Sequence, residues 1–132
     1  MKTLLLPIAG CAVLLAACDA QADEPEDRIE AAAEASAAKA GPAPAALGLS
    51  EAQLLEADLI GSNRVELGSV EGVLRNSTGD VDRLLIEIED SNPDRFVAVP
   101  VAGLTTVAAG DDTDLATSMT REQLAALPDA QL

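Results

Sequence analysis

The chain has 132 residues, 8 basic against 23 acidic for a formal net charge of −15, and it contains no His, Trp or Tyr and a single Phe. That length holds one small domain. So acidic a surface repels nucleic acid and anionic headgroups, which argues against a nucleic-acid partner, and the lack of His removes the commonest general base.

Residues 1–17 read as a delivery signal. Lys2 is a minimal positive n-region, and Leu4 to Leu15 form an apolar run shorter than the roughly 20 residues that span a bilayer, so cleavage is expected rather than retention. The run ends in Leu15-Ala16-Ala17-Cys18, an aliphatic residue, two small residues and a cysteine. It resembles the lipobox of bacterial lipoproteins. The resemblance implies cleavage between Ala17 and Cys18, a diacylglycerol on the Cys18 thiol and acylation of the new amino group. The protein would then face the periplasm, held to a membrane of the cell envelope through lipid on Cys18. Two or three acyl chains hold far more firmly than one, at about 0.8 kcal/mol per buried methylene. An ordinary secretory signal cut at an Ala-x-Ala-like site is the plainer alternative.

Cys11 would leave with the signal and Cys18 would carry lipid, so no thiol remains for a disulfide or a nucleophile. Loss of Lys2 takes the basic count from 8 to 7 against 23 acidic residues, moving the net charge from −15 to −16. Acidic side chains keep a tethered domain soluble, and that solvation role accounts for most of them.

Residues 18–48 have the composition of a tether. Pro25 to Ala40 suits a helix: acid at its start, Lys39 near its end, Gly41-Pro42 beyond it, and Ala throughout. Ile29 is its only large apolar residue. With no apolar stripe to dock, the segment is expected to be a semi-rigid or partly disordered spacer, roughly 24 Å long if fully helical. A partner-binding helix is the sharper alternative.

Residues 49–132 are expected to form the folded domain. Ser50-Glu51-Ala52-Gln53 fits a capping box that starts a short helix ending before Gly61, with Leu54, Leu55 and Leu59 facing the core. Ser69 to Arg75 is a weak strand, and Asn76-Ser77-Thr78-Gly79-Asp80 supplies turn formers. In Leu84 to Glu89 the residues Leu84, Ile86 and Ile88 share one face while Glu87 and Glu89 share the other, facing solvent. Leu85 breaks the alternation and belongs where both faces are covered. After the polar turn Asp90 to Asp94, Arg95 to Val99 is a third strand that must end, or lie at an edge, at Pro100. Thr120-Arg121-Glu122-Gln123 repeats the capping box before Leu124, Leu127 and the stop at Pro128.

The order Asp58-Leu59-Ile60-Gly61, Gly68 to Val73, a Gly79 hairpin, Val97-Ala98-Val99-Pro100 with Leu104, and Thr120 to Leu124 before Pro128 resembles a PRC-barrel domain. This is the small β-barrel module of the photosynthetic reaction-centre H subunit. The likeness spans about residues 56–129. It implies a mainly β fold, a small barrel with short flanking helices, acting as a binding or assembly module with no catalytic residues to carry over. The stretch between Gly61 and Gly68 is shorter than the family's first hairpin, so the first strand is expected to be truncated or the barrel open there.

No catalytic constellation emerges, and an enzyme is not expected. Paired Glu87 and Glu89 on a solvent-facing strand lack the setting of an acid–base pair. Asp111, Asp112 and Asp114 bring three carboxylates into one loop, as Ca²⁺ prefers, but without the Gly and Glu positions of an EF-hand. That loop is better read as a solvated hairpin turn before Leu115, so neither a metal nor a cofactor is expected. Asn76-Ser77-Thr78 matches a glycosylation sequon and is more simply the hairpin turn. The expected function is protein binding, with an exposed strand edge or the outward face around Arg95 and Phe96 as the partner surface. A domain responding to divalent cations is the alternative.

Overall fold

The computed structural model describes residues 24–132, so the cleavage and lipidation positions Ala17 and Cys18 lie outside the described residues. The chain runs through α1 (Pro25–Ala40), β1 (Pro44–Ala46), β2 (Leu49–Ser50), α2 (Glu51–Leu55), β3 (Asp58–Ile60), β4 (Glu66–Arg75), β5 (Val81–Ile88), β6 (Phe96–Pro100), β7 (Leu104–Ala109), β8 (Asp112–Thr117) and α3 (Arg121–Ala125). Strands β1 and β2 form a small hairpin of their own. The other six make one sheet in the order β6-β5-β4-β3-β8-β7, antiparallel except where β3 runs parallel to β8.

The fold is mainly β, as expected, but the sheet is not a closed barrel. The short first strand is present, since β3 has three residues. It nevertheless sits inside the sheet, paired on both sides, and the gap falls instead between β6 and β7.

The centre is the β4–β5–β6 meander. Ile86 lies between Val70 and Val97, and Leu84 between Val73 and Val99. Leu84, Ile86 and Val97 are fully buried. All six strands contribute to a single apolar cluster, β7 and β8 through Leu104 and Leu115, and the cluster also takes Leu54 of α2 and Leu124 of α3. Both short helices start at the expected capping boxes. The Gln53 amide donates to Ser50 Oγ at 3.3 Å while the Ser50 amide donates to Gln53 Oε1 at 3.0 Å; Thr120 and Gln123 do the same at 3.2 and 2.8 Å. Leu59 is buried as expected, but on β3, because α2 stops at Leu55.

Between β4 and β5, Asn76 Oδ1 accepts the amides of Thr78 and Asp80, each at 3.0 Å, and closes the turn at the sequon. Gly68 is required where the two strands approach. A Cβ there would run into the Glu87 carbonyl oxygen and the Ile86 side chain.

Helix α1 departs from the expectation of a spacer. It packs on α2 and β4, covering the outer face of the sheet. Its inward stripe, half-buried except for the buried Ala37, is Ile29, Ala33, Ser36, Ala37 and Ala40, spaced as one helical face. Small side chains let the helix axis approach closely. Leu85 is buried beneath this helix, outside the main apolar cluster and beside Ile29 and Ala33, which explains why it breaks the alternation of its strand.

Candidate functional site

Four places carry polar groups that the core does not explain: the α1–sheet junction, the acidic hairpin tip, and each of the two sheet edges.

At the junction, α1 is latched by a buried carboxylate. Glu51, the first residue of α2, is fully buried; its Oε2 accepts from Arg75 Nη2 at 2.6 Å and its Oε1 from Ser36 Oγ. One side chain therefore ties α1, α2 and the end of β4 together. Beside the latch, a cleft of about 730 Å³ is walled by Ala33 and Ala37 of α1, Leu55 of α2 and Val70 of β4, with Glu30, Glu34, Glu56 and Glu71 around it.

Toward the start of α1 the charges are unfavourable. Glu87 is half-buried rather than facing solvent. Burial raises its pKa, and so do the nearby Glu26, Glu71, Asp94 and Glu89. Glu26 on the helix is raised in turn, by desolvation against the sheet and then by Asp94 and Glu71. A second acidic group gathers around β3. Burial and then Asp114 raise Asp58, while Asp58 first, then desolvation and Glu89, raise Glu66.

At the hairpin tip, Gly110 takes a φ of 64° and Asp111 follows it between β7 and β8, the arrangement of a two-residue turn with Gly first. Asp111 and Asp112 are exposed. Asp114 instead points back to β3 and accepts the Asp58 amide at 3.4 Å, so the loop's three carboxylates do not converge. Among the described residues no group of three or more His, Cys, Asp or Glu side chains is arranged to hold a metal ion.

The two sheet edges differ. Against β6 lies the C-terminal tail: Val97 bridges to Asp129, and the Ala130 amide donates to the Phe96 carbonyl at 2.7 Å. Arg95 fastens this tail. Its Nε donates to Asp129 Oδ1 at 2.8 Å, its Nη1 to the Ala125 carbonyl at 2.9 Å and its Nη2 to the Leu127 carbonyl at 3.1 Å. Phe96 is buried. Arg95 and Phe96 therefore do not form the open partner face anticipated for them, because residues 125–130 occupy the groups that face would offer.

At the far end, β7 pairs with β8 alone. Its first residue is tied to the turn before it, the Leu104 amide donating to the Val101 carbonyl; among the described residues no loop or tail makes a backbone hydrogen bond to the free side of residues 105–109. The side chains of Thr105, Thr106 and Ala108 are exposed. In the sequence only Leu104 at its start and the turn beyond it stand out, since Thr-Thr-Val-Ala-Ala carries no alternation.

Among the described residues no helix is long and apolar enough to cross a membrane. In comparisons with known proteins, no family model matches the chain, and no curated protein matches it.

Proposed function

We propose that the protein is a lipid-anchored lipoprotein of the bacterial envelope whose PRC-barrel-like β domain binds another protein, and that it is not an enzyme. The anchor rests on Leu15-Ala16-Ala17-Cys18 and the short apolar run before it. The binding role rests on one observation: a six-stranded sheet whose β6 edge is covered by the chain's own tail while its β7 edge is open. Unpaired amides and carbonyls along a strand invite another chain to pair with them, so a soluble domain that covers one edge and leaves the other bare has a use for the second.

If Cys18 carries the lipid, six residues lie between it and Pro25, so the step from one to the other reaches at most about 25 Å. With α1 docked, the domain would sit close to the membrane surface rather than at the end of a helical stalk.

A response to cations is the second reading, favoured by the burial and crowding of carboxylates that raise Glu26, Asp58, Glu66 and Glu87. Such a response would act by screening repulsion across the domain rather than through a dedicated site.

The test is intact mass of the mature protein, with Cys18→Ala beside it. The proposal expects two or three acyl chains on the wild type, and a variant that stays uncut or leaves the membrane. A wild-type protein with an unmodified Cys18 would refute the anchor. Crosslinking in native membranes then asks whether one specific protein is captured.

A further inference from the structure

The exposed edge can be read for the chemistry of what it takes, an inference that rests on the binding role proposed above. Edge strands in soluble proteins are protected by charged side chains, proline, bulges or a covering segment. Strand β6 has such protection in Pro100 at its end and the tail fastened by Arg95 alongside. Strand β7 has none. Leu104 to Ala109 contains no charged residue and no proline, and it pairs with β8 through all six positions without a bulge. An uncharged six-residue edge is notable in a chain with 23 acidic residues.

Its side chains are small, so the edge leaves room for larger side chains on an incoming strand. Its far end carries charge: Asp111 lies in the turn and Asp112 pairs with Ala109, both exposed beside the last residue of β7. A second copy of this chain is a poor occupant, because each chain carries a net charge of −15 before any processing. A basic chain is a good one.

We propose that β7 is the docking edge for an extended segment of a basic protein partner, which adds a seventh strand and sets Lys or Arg side chains against Asp111 and Asp112.

The experiment uses the full mature chain in detergent and a synthetic peptide, Lys-Lys-Thr-Val-Thr-Val-Thr-Val. Two control peptides go with it: one with Glu-Glu in place of Lys-Lys, and one N-methylated throughout the Thr-Val run, which keeps the charge but removes the amide donors. Calorimetry gives affinity, and amide exchange locates the contact. Binding of the basic peptide should protect amides within residues 104–109. N-methylation should weaken it on the order of tenfold or more, and so should the acidic end. Asp111→Asn with Asp112→Asn, two exposed turn positions that leave the core intact, should erase the preference for Lys-Lys over Glu-Glu. Equal binding of the N-methylated peptide, or protection elsewhere than 104–109, overturns the proposal. Concentration-dependent protection of 104–109 without peptide also overturns it, since the occupant would then be a second copy. A photocrosslinker at Thr105 and another at exposed Gln53, used in native membranes, separate this proposal from the broader one. Specific capture through Gln53 alone would leave a binding module standing and remove β7 as its edge, whereas no capture at either position would count against both.

Discussion

Arg75 reaches back 24 positions to Glu51 and holds its buried carboxylate at 2.6 Å, joining the end of a central strand to the start of a short helix. Ser36 completes the arrangement from α1. Removing one partner of a buried ion pair typically costs about 3–5 kcal/mol, because the other charge is left without compensation. Arg75 is 42% exposed, and water will take up part of that loss, so Arg75→Ala is expected to cost about 2–3 kcal/mol in denaturant unfolding. Ser36→Ala should cost about 1 kcal/mol and act locally, speeding amide exchange along α1 before it moves the global midpoint.

Ile86→Ala and Glu87→Gln should move stability in opposite directions. Ile86 is fully buried, and truncating such a side chain costs about 2–5 kcal/mol, a large share of what a domain of this size holds. Glu87 would be nearly silent if it faced water. It sits instead among Glu26, Glu71, Asp94 and Glu89, so neutralising it without changing its shape relieves repulsion. A thermal midpoint that falls in the first variant and rises in the second at pH 7 is the expected result. A fall in Glu87→Gln would mean that α1 does not lie over it.

The strongest local signals in the sequence were those one element can carry alone. Leu84, Ile86 and Ile88 alternate because β5 carries no extra residue from Arg83 to Ile88, its one irregularity falling earlier at Asp82, and the capping boxes at Ser50 and Thr120 close within three residues. Strand β4 read weakly for a physical reason. Its register shifts between Val70 and Gly72, an extra residue that puts Val70 and Val73 on one face at a spacing of three instead of two. The docking of α1 was not legible because alanine looks the same in a solvated helix and in one packed closely on a sheet. What fixes it, the contact of Ser36 and Arg75 with Glu51, joins residues 15 and 24 positions apart. The covering of Arg95 and Phe96 likewise depends on Asp129 and Ala130, more than thirty residues on.

The acidic groups set the pH dependence. A carboxyl whose pKa is higher in the folded than in the unfolded chain binds its proton more tightly when folded. Stability is then gained as pH falls through the folded value, and the gain is complete below the unfolded one. Glu26, Asp58, Glu66 and Glu87 are all raised. Glu122 is lowered by its own amide at the start of α3 and by Thr120, so its contribution is lost as pH falls through its depressed value. With four groups against one, the thermal midpoint should rise as pH falls from 7 toward the ordinary carboxylate range, and then decline in stronger acid. The rise should shrink in Glu87→Gln. A midpoint that falls steadily from pH 7 downward would contradict the crowding of these carboxylates.

Gly68→Ala tests the close approach of β4 and β5. No rotamer can relieve the clash, because the added atom is the Cβ itself and its nearest obstacle is a backbone oxygen of Glu87. The strands must separate, weakening pairing from Gly68↔Ile88 onward. The expected cost is roughly 1–3 kcal/mol or more, the range for overpacking a tight interior, with faster amide exchange around Ile88. Gly72→Ala is the control. A Cβ there meets only Leu85 side-chain atoms at 3.7 and 3.8 Å, an ordinary contact, so that variant should remain close to wild type.

The last prediction concerns the covered edge. Asp129 is 70% exposed, and an ion pair so open to water contributes about 0–1 kcal/mol, so Asp129→Ala should be mild. Arg95→Ala should cost more than Asp129→Ala, since the guanidinium also donates to the carbonyls of Ala125, the last residue of α3, and of Leu127 just beyond it. Deleting residues 128–132 removes the bridge to Val97 and the amide that meets the Phe96 carbonyl, while leaving Leu124 in the core. The sheet would then have two bare edges instead of one. The truncated chain should keep its far-ultraviolet spectrum, exchange the β6 amides faster and self-associate more readily with concentration than the full chain, measured by sedimentation. If it stays as monodisperse as the full chain while β6 exchanges faster, the tail is not what protects that edge from pairing.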